Sequence, residues 1–148
     1  MQFEIRKGTV DDISGVFSLV KELAHFEKAP EEVVTTEDEY VRLFREGLFE
    51  LFVADNGREI VGIALYYYTF STWKGKMLYL EDFVVRQKHR RSGVGRALFD
   101  KVIEEARRQD CALMKWQVLD WNESAIQFYA QYQAEFDKGW WNGKLFFR

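Results

Sequence analysis

The chain has 148 residues, a formal net charge of -3 and no run of 18 apolar residues. Those figures exclude a membrane-spanning helix and argue against a general nucleic-acid binder, whose phosphate contacts demand a basic face. A 47% hydrophobic content with thirteen phenylalanines, seven tyrosines and five tryptophans supplies the apolar surface for one compact domain over residues 1–148. The single cysteine, Cys111, excludes an internal disulfide, and with no apolar leader in MQFEIRKGTV the expected setting is the cytoplasm.

In chain order, residues 2–6 read as a short strand. Thr9 to Asp12 offer capping oxygens to a helix whose apolar positions Val16, Leu19, Val20 and Leu23 follow helical spacing and which should fade near Phe26. The acidic stretch HFEKAPEEVVTTEDE is loop-like, and Thr36 is placed to cap a second helix through about Phe44. LFELFVADNGREIVGIALYYYTF reads as a hairpin, since two apolar runs flank Asn56-Gly57, a pair suited to tight turns. MLYLEDFVV is a further strand, residues 94–108 a helix with Val94, Leu98, Val102 and Ala106 on one face, and ALMKWQVL a buried strand. Asn122 caps a helix through Tyr129, and KLFFR is expected to close the chain as a last strand.

Between the strand ending at Val85 and the helix from Val94, an acidic chain concentrates Arg86, Lys88, Arg90, Arg91 and Arg96 around two glycines, Gly93 and Gly95. Such a cluster points to an anion, and three phosphate-binding patterns are available to compare. A Walker loop ends in Gly-Lys-Ser/Thr, whereas Gly95 is followed by Arg96-Ala97. A dinucleotide fingerprint needs a small residue three positions after Gly95, where the chain has Leu98. The remaining pattern is Arg-x-x-Gly-x-Gly, met by Arg90, Gly93 and Gly95. Glycines let the backbone approach a pyrophosphate, successive N–H groups point at its oxygens, and the helix N-terminus adds partial positive charge.

A second pattern lies downstream, where Asn122 opens a helix and Tyr129 follows two turns later on the same side as Ala125. Together with the element order β-α-α-β-β-β-α-β-α-β, the two motifs resemble the GNAT superfamily of acetyl-CoA-dependent N-acetyltransferases. The resemblance implies an α/β fold with a mixed, mostly antiparallel central sheet flanked by helices and split near the strand ending at Val85. It also implies that the glycine loop holds the pyrophosphate of coenzyme A. The stretches YLEDFVV, STWKGK, AHFEKAPEEV and VLDWN carry the resemblance further, to the diamine acetyltransferase group of spermidine/spermine N1-acetyltransferases and thialysine Nε-acetyltransferases, with FEK, STWKG and VLDWN nearer the thialysine type. The chain departs from the group at Gln133, where a glycine is usual, and from the polyamine enzymes at Lys138 and Thr72, where they carry acids. Two fewer carboxylates point away from spermine.

What the resemblance implies for the site follows residue by residue. Acetyl-CoA would be held by the backbone of Phe83, Val84 and Val85 and by Arg90, Arg91, Ser92, Gly93, Val94, Gly95 and Arg96, with Asn122, Glu123 and Ser124 nearby. A primary amine with a pKa near ~10 must lose a proton before it attacks a thioester. Glu81 resembles the family's water-relayed base, although an outward-facing strand glutamate is its ordinary alternative. Because adjacent strand residues face opposite sides, one of Glu81 and Asp82 is expected to point at the amine. A bulge near Phe83 to Val85 would expose N–H groups to the oxyanion, and Tyr129 resembles the general acid that protonates the departing thiolate. Glu27, Glu31 and Asp82 are candidates to meet an ammonium, and Trp73 and Trp140 to pack its methylene chain. No His, Cys, Asp or Glu cluster has metal-ligand spacing, so no metal is expected. The family resemblance also implies a homodimer. A peptide- or protein-acetylating enzyme of the same fold and a non-catalytic coenzyme-binding module stay open as alternatives.

Overall fold

A computed structural model describes residues 1–148. The chain forms two compact units, Met1–Gln117 and Val118–Arg148. The first contains strand β1 (Glu4–Lys7), helices α1 (Ile13–Phe26) and α2 (Glu37–Arg45), strands β2 (Glu50–Asp55), β3 (Ile60–Ser71) and β4 (Gly75–Val85), helix α3 (Val94–Arg108) and strand β5 (Leu113–Trp116). The five strands form one sheet in the order β1-β2-β3-β4-β5, antiparallel throughout except for the parallel β4–β5 pair.

Local chemistry fixes most boundaries. Thr36 caps α2 by accepting from the Glu39 N–H at 3.2 Å, satisfying one of the donors a helix start leaves unpaired. The β2–β3 turn is held by Asn56, whose Oδ1 accepts from the N–H groups of Arg58 and Glu59, both at 2.9 Å.

The sheet buries both faces. Toward α1 and α2, Ile63, Leu65 and Val84 join Val16, Leu19, Val20, Leu51 and Val53 in one core cluster. Toward α3, the intervening positions pack instead: Phe83 lies 5.5 Å from Phe99 between ring centroids, and Val94, Leu98, Val102 and Ala106 are all buried. Gly62 sets how closely α3 approaches, since a Cβ there would stand 2.9 Å from both Leu98 Cδ1 and Val94 Cγ1. That contact fixes the start of α3 beside the end of β4, where the glycine loop lies.

The β4–β5 ladder runs from Met77↔Leu113 to Leu80↔Trp116 and stops, whereas β4 stays paired with β3 as far as Val85. Beyond Leu80 the outer edge of β4 is therefore open, at the place where the split was expected.

The second unit contains helix α4 (Glu123–Ala130), with Asn122 as its N-cap accepting from Ala125 N–H at 3.3 Å. Gln133, three residues past this helix, adopts φ 61°, a left-handed conformation that costs an L-residue roughly 1–2 kcal/mol and that glycine would adopt freely. One expectation fails here. KLFFR forms no strand; Leu145, Phe146 and Phe147 are 85%, 77% and 95% exposed. No ladder pairs with the segment, so its apolar side chains stand in solvent.

Candidate active site

The glycine loop leaves β4 at Val85 through a short turn, Gln87–His89, and passes through left-handed conformations at Arg91 (φ 64°) and Gly93 (φ 87°) before α3 begins. Gly93 is the N-cap, and no side chain caps the helix, so the first-turn N–H groups face outward without an intrahelical acceptor. The side chains of Val84 and Val94 are buried in the two cores, which leaves their backbone as the part able to meet a ligand. Arg90 donates from Nε to the Val85 carbonyl at 3.2 Å and lays its guanidinium over the Phe26 ring at 5.0 Å. Ser92 Oγ donates to the His89 carbonyl.

The basic cluster is smaller in space than in sequence. Arg86 is paired with Glu22 of α1 at 3.2 Å and with Glu59 at 3.0 Å, and Lys88 is held by Glu59 at 3.0 Å. Their charges are neutralised by acids distant in the chain. Arg90 and Arg91, which hold no carboxylate, remain at the loop itself.

Glu81 and Asp82 overturn the expectation that one of them must turn away. Asp82 pairs with Leu65 and Leu80 with Tyr66, so Glu81 is an extra residue with no opposite number on β3. The bulge falls here, ahead of the predicted Phe83 to Val85, and it resets the alternation by one. Tyr79 pairs with Tyr67 and Asp82 with Leu65, all on the α1–α2 face, and Glu81 joins them there by accepting a 2.9 Å hydrogen bond from Tyr67 Oη. Both carboxylates therefore face the same way.

Glu27, the C-cap of α1, completes a group of three. Burial raises the Asp82 carboxyl to about 7, and Glu81 and Glu27 push it in the same direction. Glu27 is likewise raised by burial. None of the three has an ion-pair partner. Tyr40 of α2 lies against the same space, its hydroxyl raised by burial and then by Asp82. Three acids beside one another with no cation are costly unless a cationic ligand is to be met there.

Of the other predicted residues in the first unit, Trp73 lies apart from this group. Glu31 is exposed on the turn Pro30–Glu32. Trp73 is 84% exposed at the β3–β4 hairpin tip; at about 3.3 Å per residue, six strand positions put it roughly 20 Å from Glu81. In the second unit, Tyr129 is buried, Trp140 is 74% exposed, and Ser124 Oγ donates to the Asn122 side chain at 3.2 Å. Glu123 is exposed. Sequence reasoning missed Tyr67 and Tyr40: Tyr67 stands in the run Tyr66 to Tyr68 and Tyr40 within α2, and neither local pattern marks the long-range contact with the acids.

Residues 17–133 match the Acetyltransferase (GNAT) family. The thialysine N-epsilon-acetyltransferase of Caenorhabditis elegans is 39% identical over 127 residues, which cover 86% of this chain and 79% of that protein. The Bos taurus enzyme of the same name is 34% identical over 88% of this chain and 83% of its own length. A human spermidine/spermine N(1)-acetyltransferase-like protein is 31% identical over 93% of this chain and 22% of its own. In three dimensions, an aminoglycoside acetyltransferase from an uncultured soil metagenomic sample superposes with a TM-score of 0.81 at 18% identity, over 97% of this chain and 96% of its own.

Proposed function

The chain belongs to the GNAT family of acetyl-CoA-dependent N-acetyltransferases, and from that premise we propose that it acetylates the primary amine of a small substrate by direct attack within a ternary complex. The observation that carries this reading is the group Glu27, Glu81 and Asp82, three carboxylates on one side of the sheet without a cation. A substrate that arrives as an ammonium is stabilised by them, and one carboxylate then takes its proton. Glu81 is assigned as that base, directly or through one water, with Asp82 and Glu27 as the ammonium's partners.

Acetyl-CoA is assigned to the open edge of β4 and the loop beyond it, with the backbone of Phe83 to Val85 on the acetyl side and Arg90 to Arg96 on the pyrophosphate. Asn122, Glu123 and Ser124 are carried over from the family resemblance. N–H groups on an unpaired strand edge suit a developing oxyanion because they are fixed before the charge forms. Tyr129 is assigned to protonate the departing thiolate.

Thialysine-like amino acids and short diamines come first as substrates and long polyamines second. By the family resemblance, Thr72 and Lys138 replace acids of the polyamine enzymes, and the thialysine enzymes are among the relatives of this chain. Steady-state kinetics with thialysine, putrescine, spermidine and a lysine peptide are the test. The expected order of kcat/KM is thialysine or putrescine, then spermidine, then peptide; a clear preference for long polyamines or for the peptide overturns it.

Gly93→Val tests the coenzyme loop. A Cβ at Gly93 meets nothing within 4 Å, so the variant leaves the core intact, but φ 87° is strained for a β-branched residue. The branch also stands where an anion must approach. Calorimetry should find acetyl-CoA affinity lower by about tenfold; unchanged affinity removes the loop from its assigned role.

A further inference from the structure

We infer that Tyr67 is a positioning residue that holds the Glu81 carboxylate toward the reacting amine. The inference rests on the reading of Glu81 as the base. Glu81 sits on a bulge, exposed, with three rotatable side-chain bonds. Its neighbours on the same face are acids: Asp82 beside it and Glu27 from α1. Left to electrostatics, the Glu81 carboxylate would swing away from both into water, out of line with the substrate.

One contact opposes that. Tyr67 Oη donates to Glu81 Oε1 at 2.9 Å, the single hydrogen bond of this carboxylate, and it leaves Oε2 open for proton transfer. The donor is itself fixed. Tyr67 lies within β3, opposite Tyr79 in the β3–β4 ladder, and the two rings stack with centroids 5.5 Å apart and an interplanar angle of 23°. Burial, followed by Glu81 itself, raises the Tyr67 hydroxyl far above the ordinary tyrosine range, so it stays a proton donor at neutral pH. The hydroxyl therefore orients the base and does not share its work. Asp82, Tyr40 and Tyr79 also line this face, and none of them donates to Glu81.

A double-mutant cycle tests this on the full chain, with acetyl-CoA and the best small amine found above. Tyr67→Phe keeps the stacked ring and deletes the hydroxyl; kcat should fall about tenfold, the loss expected for one hydrogen bond to a charged group, while the KM for acetyl-CoA stays within about twofold. In the Glu81→Gln background, where no base is left to orient, the same substitution should have no further effect. Wild-type kcat in Tyr67→Phe alongside an impaired Glu81→Gln overturns the role of Tyr67 and leaves the base intact. An undiminished Tyr67→Phe effect in the Glu81→Gln background overturns it as well, because a merely structural loss would be carried into both backgrounds. Full activity in Glu81→Gln overturns the assignment of the base and the inference with it.

Discussion

Tyr129→Phe should lower kcat about 100-fold, the lower end of what a positioned general acid contributes, with acetyl-CoA affinity nearly unchanged. The substitution is conservative where packing is concerned. Tyr129 is buried in α4 with its ring against Phe128, centroids 5.5 Å apart at 78°, and phenylalanine keeps that edge-to-face contact. What disappears is the phenolic proton offered to the developing thiolate; a free phenol and a free thiol, at about 10 and about 8.5, differ by little enough that such a transfer is a small uphill step. The alternative route would place the acetyl group on a protein nucleophile first, and Cys111 is the sole thiol. Burial raises the Cys111 thiol above its ordinary range, with Asp110 adding to the shift against the opposing Lys76, so its thiolate fraction at neutral pH is reduced and it is a poor acceptor. Cys111→Ala should accordingly keep most of the activity. Rapid-quench kinetics and intact-mass measurement decide between the routes: a stable acetyl-enzyme that vanishes in Cys111→Ala would refute direct attack, and full activity in Tyr129→Phe would remove the hydroxyl from the reaction.

How far the sequence reaches depends on the range of the interaction concerned. Helix α3 is legible because Val94, Leu98, Val102 and Ala106 repeat within one local segment, and the caps at Thr36 and Asn122 are legible because each acts on N–H groups three residues ahead. The glycine loop is legible for the same reason. Strand register is different. Whether Glu81 and Asp82 face together depends on Leu65 and Tyr66 across the ladder, and one inserted residue reverses the answer that alternation gives. The pairing of Arg86 and Lys88 with Glu22 and Glu59 is equally remote, so the local count of cations overstated the charge left for a phosphate. KLFFR misled for a related reason: its composition favours a strand, but composition supplies no partner.

The bulge that brings the acids together also makes them a burden on the fold, and the second large effect expected is on stability. Asp82 titrates near 7 in the folded chain, with burial the leading cause and Glu81 and Glu27 next, against about 3.9 in an unfolded one. A carboxyl raised in this way favours folding while both states are protonated, below about pH 4, and loses that contribution as pH climbs through 7. The full shift corresponds to about 4 kcal/mol, and partial access to water reduces the expected effect to about 2 kcal/mol. Asp82→Asn imitates the neutral form at every pH. It should therefore be more stable than the native chain at pH 8, melting higher by roughly 4–8 °C, and the advantage should shrink to nothing near pH 4. A saturating amine substrate should narrow the gap at pH 8 as well, because an ammonium beside Asp82 relieves in the native chain what the amide relieves by lacking charge. Thermal unfolding from pH 4 to 8, with and without putrescine, measures all three. A difference that does not vary with pH would mean that Asp82 is not held against its own charge. A variant that is less stable at pH 8 would mean that its carboxylate is already satisfied, and the case for a cation-binding group on this face of the sheet would fall with it. The expected gain in stability comes with an expected loss of amine affinity, since residues arranged for a charged ligand are the ones that strain the fold in its absence.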